Sequence, residues 1–535
     1  MKETIDYNQI KNIEFIKNDL GNGLWVQVCG FLDNDNDAFV FAVLVSKEKT
    51  DKFLKDVGGH LNFSDPVGFV QYGNKHIEYQ YKDFGGIQYF VRERYFHGIR
   101  KDFYELSDEF LLLFNAYKDT NKYFAIEEDG DVIEIAKYLD NGSLVVNNVY
   151  LRRFAAAKQM NIGYIFDFRV SSSLEMDSSI KPNYNFEDTN INYEFYSGSN
   201  ALGNGFFTRL NGRKIIECGK RETCGLWPFI NKKKYANFKV GFNSDGTGIE
   251  CNCNPDYLDN YFNANPGNYH YLTPVAFKKE VLKKYLDHPD KYNFENNRLS
   301  CGSLWGIEID AAHEDVVLVY LGDLGRDLPE SEYQHWLSYN IVTNEGLSKS
   351  TIERDFFGMF SESTNPDDVF KQKFNLVNDK WNKKYGWKLF LDLKEEDNYC
   401  YTKAIMPLIN EQHEFDELCL VLSKITVDSI NIKSLEARDP SILKGTKSLA
   451  ALKTYLLNEG IEETIVDEIV ISFRNVQSLR SEQAGHRKGS ELNKLYKKVG
   501  ILELVDRQDF IQSSRLIFES LSKSLSLILK YCFND

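Results

Sequence analysis

Between Gly23 and Arg169, short apolar runs rich in β-branched and aromatic residues recur at Leu24–Cys29, Ala38–Ser46, Val67–Tyr72, Ile87–Tyr95, Val132–Tyr138 and Gly163–Val170. Runs of this length and composition predict strands, because branched and aromatic side chains suit a pleated, half-buried surface. Asp129-Gly130 and Asn141-Gly142 supply turn residues that tolerate positive φ. Val149–Met160, with Ala155–Ala157 inside it, predicts a helix.

The polar stretch Ser171–Asn190 predicts a boundary. From Tyr193 to about Leu393 a second mixed pattern follows. It predicts a hairpin, Phe238–Phe242 with Ile249–Cys253, across Ser244-Asp245-Gly246, and strands at Leu304–Ile309 and Val316–Leu321. Helices are expected at Pro274–Leu286, Pro329–Tyr339, Thr351–Met359 and Asp367–Lys384.

After Asn398 the period becomes helical. Phe415, Leu418, Leu422 and Ile425 share one face. Asp439-Pro440 reads as an N-cap with proline at N1, and Gly460 as the end of that helix. Ile465, Ile469, Phe473, Val476 and Leu479 form the next stripe, and Phe510, Ile517, Leu521, Leu525 and Ile528 the last. Amphipathic helices with short connections bury such stripes only against one another. The fold class predicted is α+β: two mixed, strand-rich domains at 1–170 and 171–398, then an all-α bundle at 399–535.

Composition refines this picture without changing it. The 535 residues are 42% hydrophobic and 27% charged, which are globular values. Met1–Leu20 offers no signal-peptide core, and no run of eighteen apolar residues occurs elsewhere, so no membrane segment is expected. Nine cysteines at irregular spacing read as reduced thiols of a cytoplasmic protein. A net charge of −15 excludes a general polyanion binder, so any nucleic-acid site must be local. Between Ser472 and Gly500 the balance reverses. Seven basic residues (Arg474, Arg480, Arg487, Lys488, Lys494, Lys497, Lys498) stand there against Glu482 and Glu491.

Within that basic island Arg480 lies one step off the buried stripe, Gly485 supplies a helix stop, and His486 follows at once. Imidazole moves protons near neutral pH, and guanidinium offers paired donors to a phosphate. The segment Arg480-Ser481-Glu482-Gln483-Ala484-Gly485-His486, in a C-terminal helical module, resembles the Arg/His motif of the HEPN superfamily. Arg92 and His97 fit the same spacing, but they sit in an alternating strand pattern.

The resemblance implies a metal-independent endoribonuclease of the kind found in toxins and antiviral defence systems, with no cofactor. It also implies a pair of copies forming a composite cleft and cleavage that leaves a 2′,3′-cyclic phosphate. Arg480 would stabilise the phosphate and His486 would be the general acid/base. Arg474, Arg487, Lys488 and Lys494 would hold RNA, and the front domains would sense a protein or phage-derived trigger or restrain the nuclease. Many active members carry Asn, Asp or His directly after the arginine, where this chain has Ser481. The alternative is therefore a catalytically silent HEPN-like bundle that dimerises or binds RNA or a partner protein.

Arg92, Arg94, His97 and Arg100 form a second group of donors, expected as a surface strand or a sensor site. Cys218, Cys224, Cys251 and Cys253 have the count but not the spacing of a zinc site, and buried or half-buried thiols are expected. Asp327-Leu328-Pro329-Glu330 reads as a helix N-cap, and Gly445-Thr446-Lys447-Ser448 as a helix start, since no strand or upstream glycine completes a P-loop.

Overall fold

The run Ala38–Val45 is almost entirely apolar, and a strand of this kind belongs inside a sheet. In the structure, a computed structural model, it lies in the strand Asp37–Ser46, where Val40, Phe41, Ala42, Val43 and Val45 are fully buried. The structure describes residues 5–32, 37–57, 68–72, 76–80, 86–94, 96–199, 205–229, 232–295, 297–358, 365–485 and 490–533.

The chain divides into two compact units. One comprises Met1–Glu127 and Asp131–Lys232, the other Glu128–Gly130 and Lys233–Asp535. The first unit is built on one antiparallel sheet. Its strand order is Asn183–Glu187, Ile191–Ser199, Phe206–Ile216, Met160–Ser172, Asp37–Ser46, Trp25–Phe31, Leu144–Asn147, Val132–Tyr138, Lys122–Ile126 and Tyr117–Asp119. The helix Asn148–Lys158 follows its strand directly, and the Asn147 side chain caps it by accepting from Val149 N at 3.0 Å. Its buried face, Tyr150, Leu151, Phe154 and Ala155, joins the core of this unit.

The boundary expected at 170/171 moves to 232/233. Met160–Ser172 runs past that point and pairs with Phe206–Ile216 from Ile162↔Ile216 to Ser172↔Phe206, so the later strands complete the first sheet. The polar composition of 171–190 reflects a connection to an outer strand, Asn183–Glu187, with alternating burial.

The second unit carries two hydrophobic cores. One gathers Phe238, Val275, Phe277, Tyr285, Leu299, Val317 and Trp336 around short sheets. These are Val316–Tyr320 with Pro274–Lys278 and Asn340–Ile341, the meander Asn293–Glu295, Arg298–Cys301 and Trp305–Glu308, and the hairpin Asn237–Phe242 with Gly248–Asn252. The expected helix Pro274–Leu286 is instead a strand with buried Val275–Phe277 followed by two short helical turns, because pairing with Val316–Tyr320 satisfies its backbone.

The other core is helical and runs from Phe370 to Cys532. It begins earlier than 399: the helix Pro366–Tyr385 contributes Phe370, Phe374, Val377 and Trp381, and Phe370 meets Phe518 of the helix Phe510–Phe533. Around these lie Gln412–Ile425, Ile432–Arg438, Ser448–Asn458, Glu463–Gly485 and Ser490–Val499. The α+β class is thus as expected, with strand-rich regions first and helices after about 366. Among the described residues no helix is long and apolar enough to cross a membrane.

Two capping expectations change. Asp439 starts no helix. Its carboxylate accepts from Ser441 N at 3.0 Å and Asn458 Nδ2 at 2.7 Å, and the helix begins at Ser448, just after Gly445-Thr446-Lys447. Asp327 ends a helix, Leu321–Arg326, and pairs with Arg326, while Pro329 precedes the turn Glu330–Glu332.

Candidate functional site

The helix Glu463–Gly485 buries Val466, Ile469, Val470, Phe473, Val476 and Leu479 against the bundle, and Ile465 packs partly buried beside them. Leu479 fixes the rotation of the last turns, so Arg480, one residue on, emerges at the seam with the helix Gln412–Ile425. There Arg480 Nη1 forms a close ion pair with Asp428 Oδ2 and donates to Ser423 Oγ at 3.4 Å. The Arg480 side chain is 33% exposed and that of Asp428 40%, so the pair is worth about 0–1 kcal/mol and leaves the guanidinium displaceable. Next to it Ser481 Oγ donates to Gln477 O at 2.9 Å, so the residue after the arginine is turned back onto its own helix.

The helix is described as far as Gly485, and the stop expected there lies at the edge of the described residues. His486, Arg487 and Lys488 lie outside the described residues. The chain resumes in Ser490–Val499, which buries Leu492 and Tyr496 and exposes Lys494, Lys497 and Lys498. Arg474 is exposed on the Arg480 helix, but six residues at 3.6 per turn put it about 120° around the axis, so the two arginines do not share a face. Of the positions expected to act on RNA, the described residues fix Arg480 at the seam and Arg474 and Lys494 on exposed helix surface. Asp428 and Ser423, which hold Arg480, carry no sequence signal, because each lies more than fifty residues away from it.

The second donor group is in the first unit and is not a row. The predicted strand Ile87–Tyr95 is two strands, Ile87–Tyr89 and Val91–Arg94, and the latter forms a hairpin with Phe103–Leu106. Arg92 and Arg94 both face Glu105, at 3.7 and 3.1 Å, and Arg92 also reaches Asp108 at 3.6 Å. Arg100 lies over the Phe96 ring at 6.0 Å, and His97 occupies a left-handed turn position at φ 56°. The two strand arginines are therefore compensated by carboxylates, whereas the histidine and Arg100 sit in the connecting turn.

Cys224 and Cys253 are buried and Cys218 and Cys251 half-buried, all as free thiols. Burial pushes the Cys253 and Cys251 thiols up, away from the thiolate a metal needs. Among the described residues no three His, Cys, Asp or Glu side chains are grouped to hold a metal. No protein-family model matches the chain, and neither a curated protein nor a solved structure does.

Proposed function

We propose that the chain is a metal-independent endoribonuclease of the HEPN type, a dimeric toxin or antiviral defence effector whose N-terminal regions sense a trigger or restrain the nuclease. The observation that carries this reading is Arg480. It stands on a bundle helix, oriented by Asp428 and Ser423 yet one-third exposed, and the sequence places Gly485 and His486 five and six residues after it. A guanidinium held in this way is preorganised for a phosphate, and a weak exposed pair yields to one.

In the reaction the ribose 2′-oxygen attacks the adjacent phosphorus and the P–O5′ bond breaks, which leaves a 2′,3′-cyclic phosphate and a 5′-hydroxyl. His486 of one copy takes the 2′ proton, and His486 of the second returns a proton to the leaving oxygen. Arg480 bears the charge that develops on the non-bridging oxygens.

The test is cleavage of varied RNA by the purified chain in EDTA, alongside growth arrest on expression. Arg480→Ala and His486→Ala are each expected to lower the rate by roughly 10²–10⁴-fold, the range of a lost proton-transfer or charge-stabilising group. Cutting that survives both substitutions would place the chemistry elsewhere. RNA left intact by wild type with any trigger tried would favour the second reading, a silent bundle that dimerises or binds RNA or a partner. Ser481, turned onto its own helix, and the Asp428 partner of Arg480 favour that reading.

A further inference from the structure

Within the second unit a cavity of about 40 Å³ lies between the mixed core and the helical bundle, lined among others by Lys279, His313, Asp367, Lys371, Met406 and Arg515. A water needs roughly 10–15 Å³ of such space, so the cavity has room for about three waters, the size of one phosphate or carboxylate group. Its lining is mixed, with charged side chains set among apolar ones such as Leu282, Phe294, Ile405 and Ile511.

Lys279 and Lys371 are 9% and 6% exposed. An ammonium carries three donors. Lys279 Nζ donates to His313 O at 2.9 Å. Lys371 Nζ stands 5.3 Å from the centre of the Tyr401 ring and makes no hydrogen bond or ion pair among the described residues. Arg515, half-buried on the helix Phe510–Phe533, makes none either. The buried Nε2 of His313 has no partner, while its Nδ1 faces Glu345 at 3.4 Å.

The carboxylates of the lining do not pair with this set. Asp367 Oδ2 accepts from Met406 N at 3.0 Å, and Asp368 Oδ2 from Asn365 Nδ2 at 3.4 Å; both aspartates are half-buried. Glu295 and Glu314 also line the cavity but are exposed, so solvent screens them. Four carboxylates thus share the lining with three cations (Lys279, Lys371, Arg515), but none of the four is paired with any of the three among the described residues. Burial lowers the pKa of both lysines, with Asp367 pulling each the other way. A buried ammonium short of partners is costly, and one bound oxyanion removes that cost.

We propose that this cavity binds the phosphate or carboxylate group of a small molecule, with Lys279, Lys371 and Arg515 donating to it and His313 Nε2 as a fourth contact. The site is independent of RNA cleavage at Arg480, and its test reads binding alone.

The experiment is calorimetric titration of the full-length chain with inorganic phosphate, acetate and AMP, each at constant ionic strength in chloride. Saturable binding of at least one is expected. Preference for phosphate over acetate assigns a tetrahedral group, and tighter binding of AMP than of phosphate assigns a nucleotide source. Lys371→Met and Arg515→Met, checked for native folding by circular dichroism, should each weaken binding about tenfold or more, the loss expected for one charge-assisted hydrogen bond. Arg515 is half-buried on a helix surface, so its variant carries the test even if Lys371→Met fails to fold. Absence of saturable heat with all three probes, or affinity unchanged in the folded variants, overturns the proposal and leaves a water-filled cavity.

Discussion

At the scale of single residues, charge placement separates what contributes to stability from what is available for function. Asp167 accepts from Arg209 Nε at 2.9 Å and Nη2 at 2.8 Å, and from Arg169 Nη2 at 2.9 Å. Burial alone would raise the Asp167 carboxyl, but the two guanidiniums outweigh it and hold its pKa below the usual carboxylate value. A depressed carboxylate contributes stability above the unfolded pKa of about 3.9 and loses it as pH falls through the folded value. Asp167→Asn should therefore cost on the order of 1 kcal/mol at neutral pH, since the partners are partly exposed. In urea unfolding, the gap between variant and wild type should stay constant down to about pH 5 and shrink below about pH 4. A gap that persists unchanged to pH 2 would show that lost geometry, not charge, is responsible. The Arg480–Asp428 pair is a contrasting case: its exposure makes it a poor stabiliser, and so leaves the guanidinium displaceable.

At the scale of elements, periodicity was legible wherever local sequence and tertiary packing agree. Val132–Tyr138 and the hairpin near 238–253 emerge where the alternation and turn residues put them, and the helix Pro366–Tyr385 matches its 3.6-residue stripe. Pro274–Lys278 was not legible, because a short apolar run reads equally as strand or helix until Val316–Tyr320 is found to pair with it. The strands Ile191–Ser199 and Phe206–Ile216 escaped for a related reason. Their polar outer positions and glycines hide a pattern that only the neighbouring strand completes.

A glycine of the strand Met160–Ser172 beside them has a measurable role. A Cβ at Gly163 would stand 2.7 Å from Val45 Cγ2 and 2.8 Å from Phe53 Cζ, so the bare backbone lets the Phe53 ring lie against the sheet. Gly163→Ala is expected to destabilise by about 1–3 kcal/mol through overpacking, read as a lowered denaturation midpoint with an unchanged slope. A neutral result would mean that Phe53 repacks freely.

At the scale of the whole molecule, the candidate site was legible in one respect and hidden in another. Arg480 could be located because its helix announces itself. Asp428 could not, because a turn more than fifty residues away reaches it only through the packing of Glu463–Gly485 on Gln412–Ile425. The domain limits were misjudged for the same reason: composition changes at 171 and 399, whereas the contacts that close each core cross those points. Truncation tests this directly. A fragment of residues 233–535 keeps both cores of the second unit and should unfold cooperatively.

A fragment beginning at 171 adds Asn183–Glu187, Ile191–Ser199 and Phe206–Ile216 without the strand Met160–Ser172 that pairs their inner edge, and should aggregate through it. A fragment beginning at 399 loses Phe370, Phe374, Val377 and Trp381 from the helical core. Large-to-Ala losses of about 3–5 kcal/mol for one aromatic show that removing all four exceeds the whole stability of a typical domain. That fragment should bind a hydrophobic dye and melt without a transition. If it instead unfolds cooperatively, the helix Pro366–Tyr385 is an ornament on the bundle that carries Arg480 and not one of its walls.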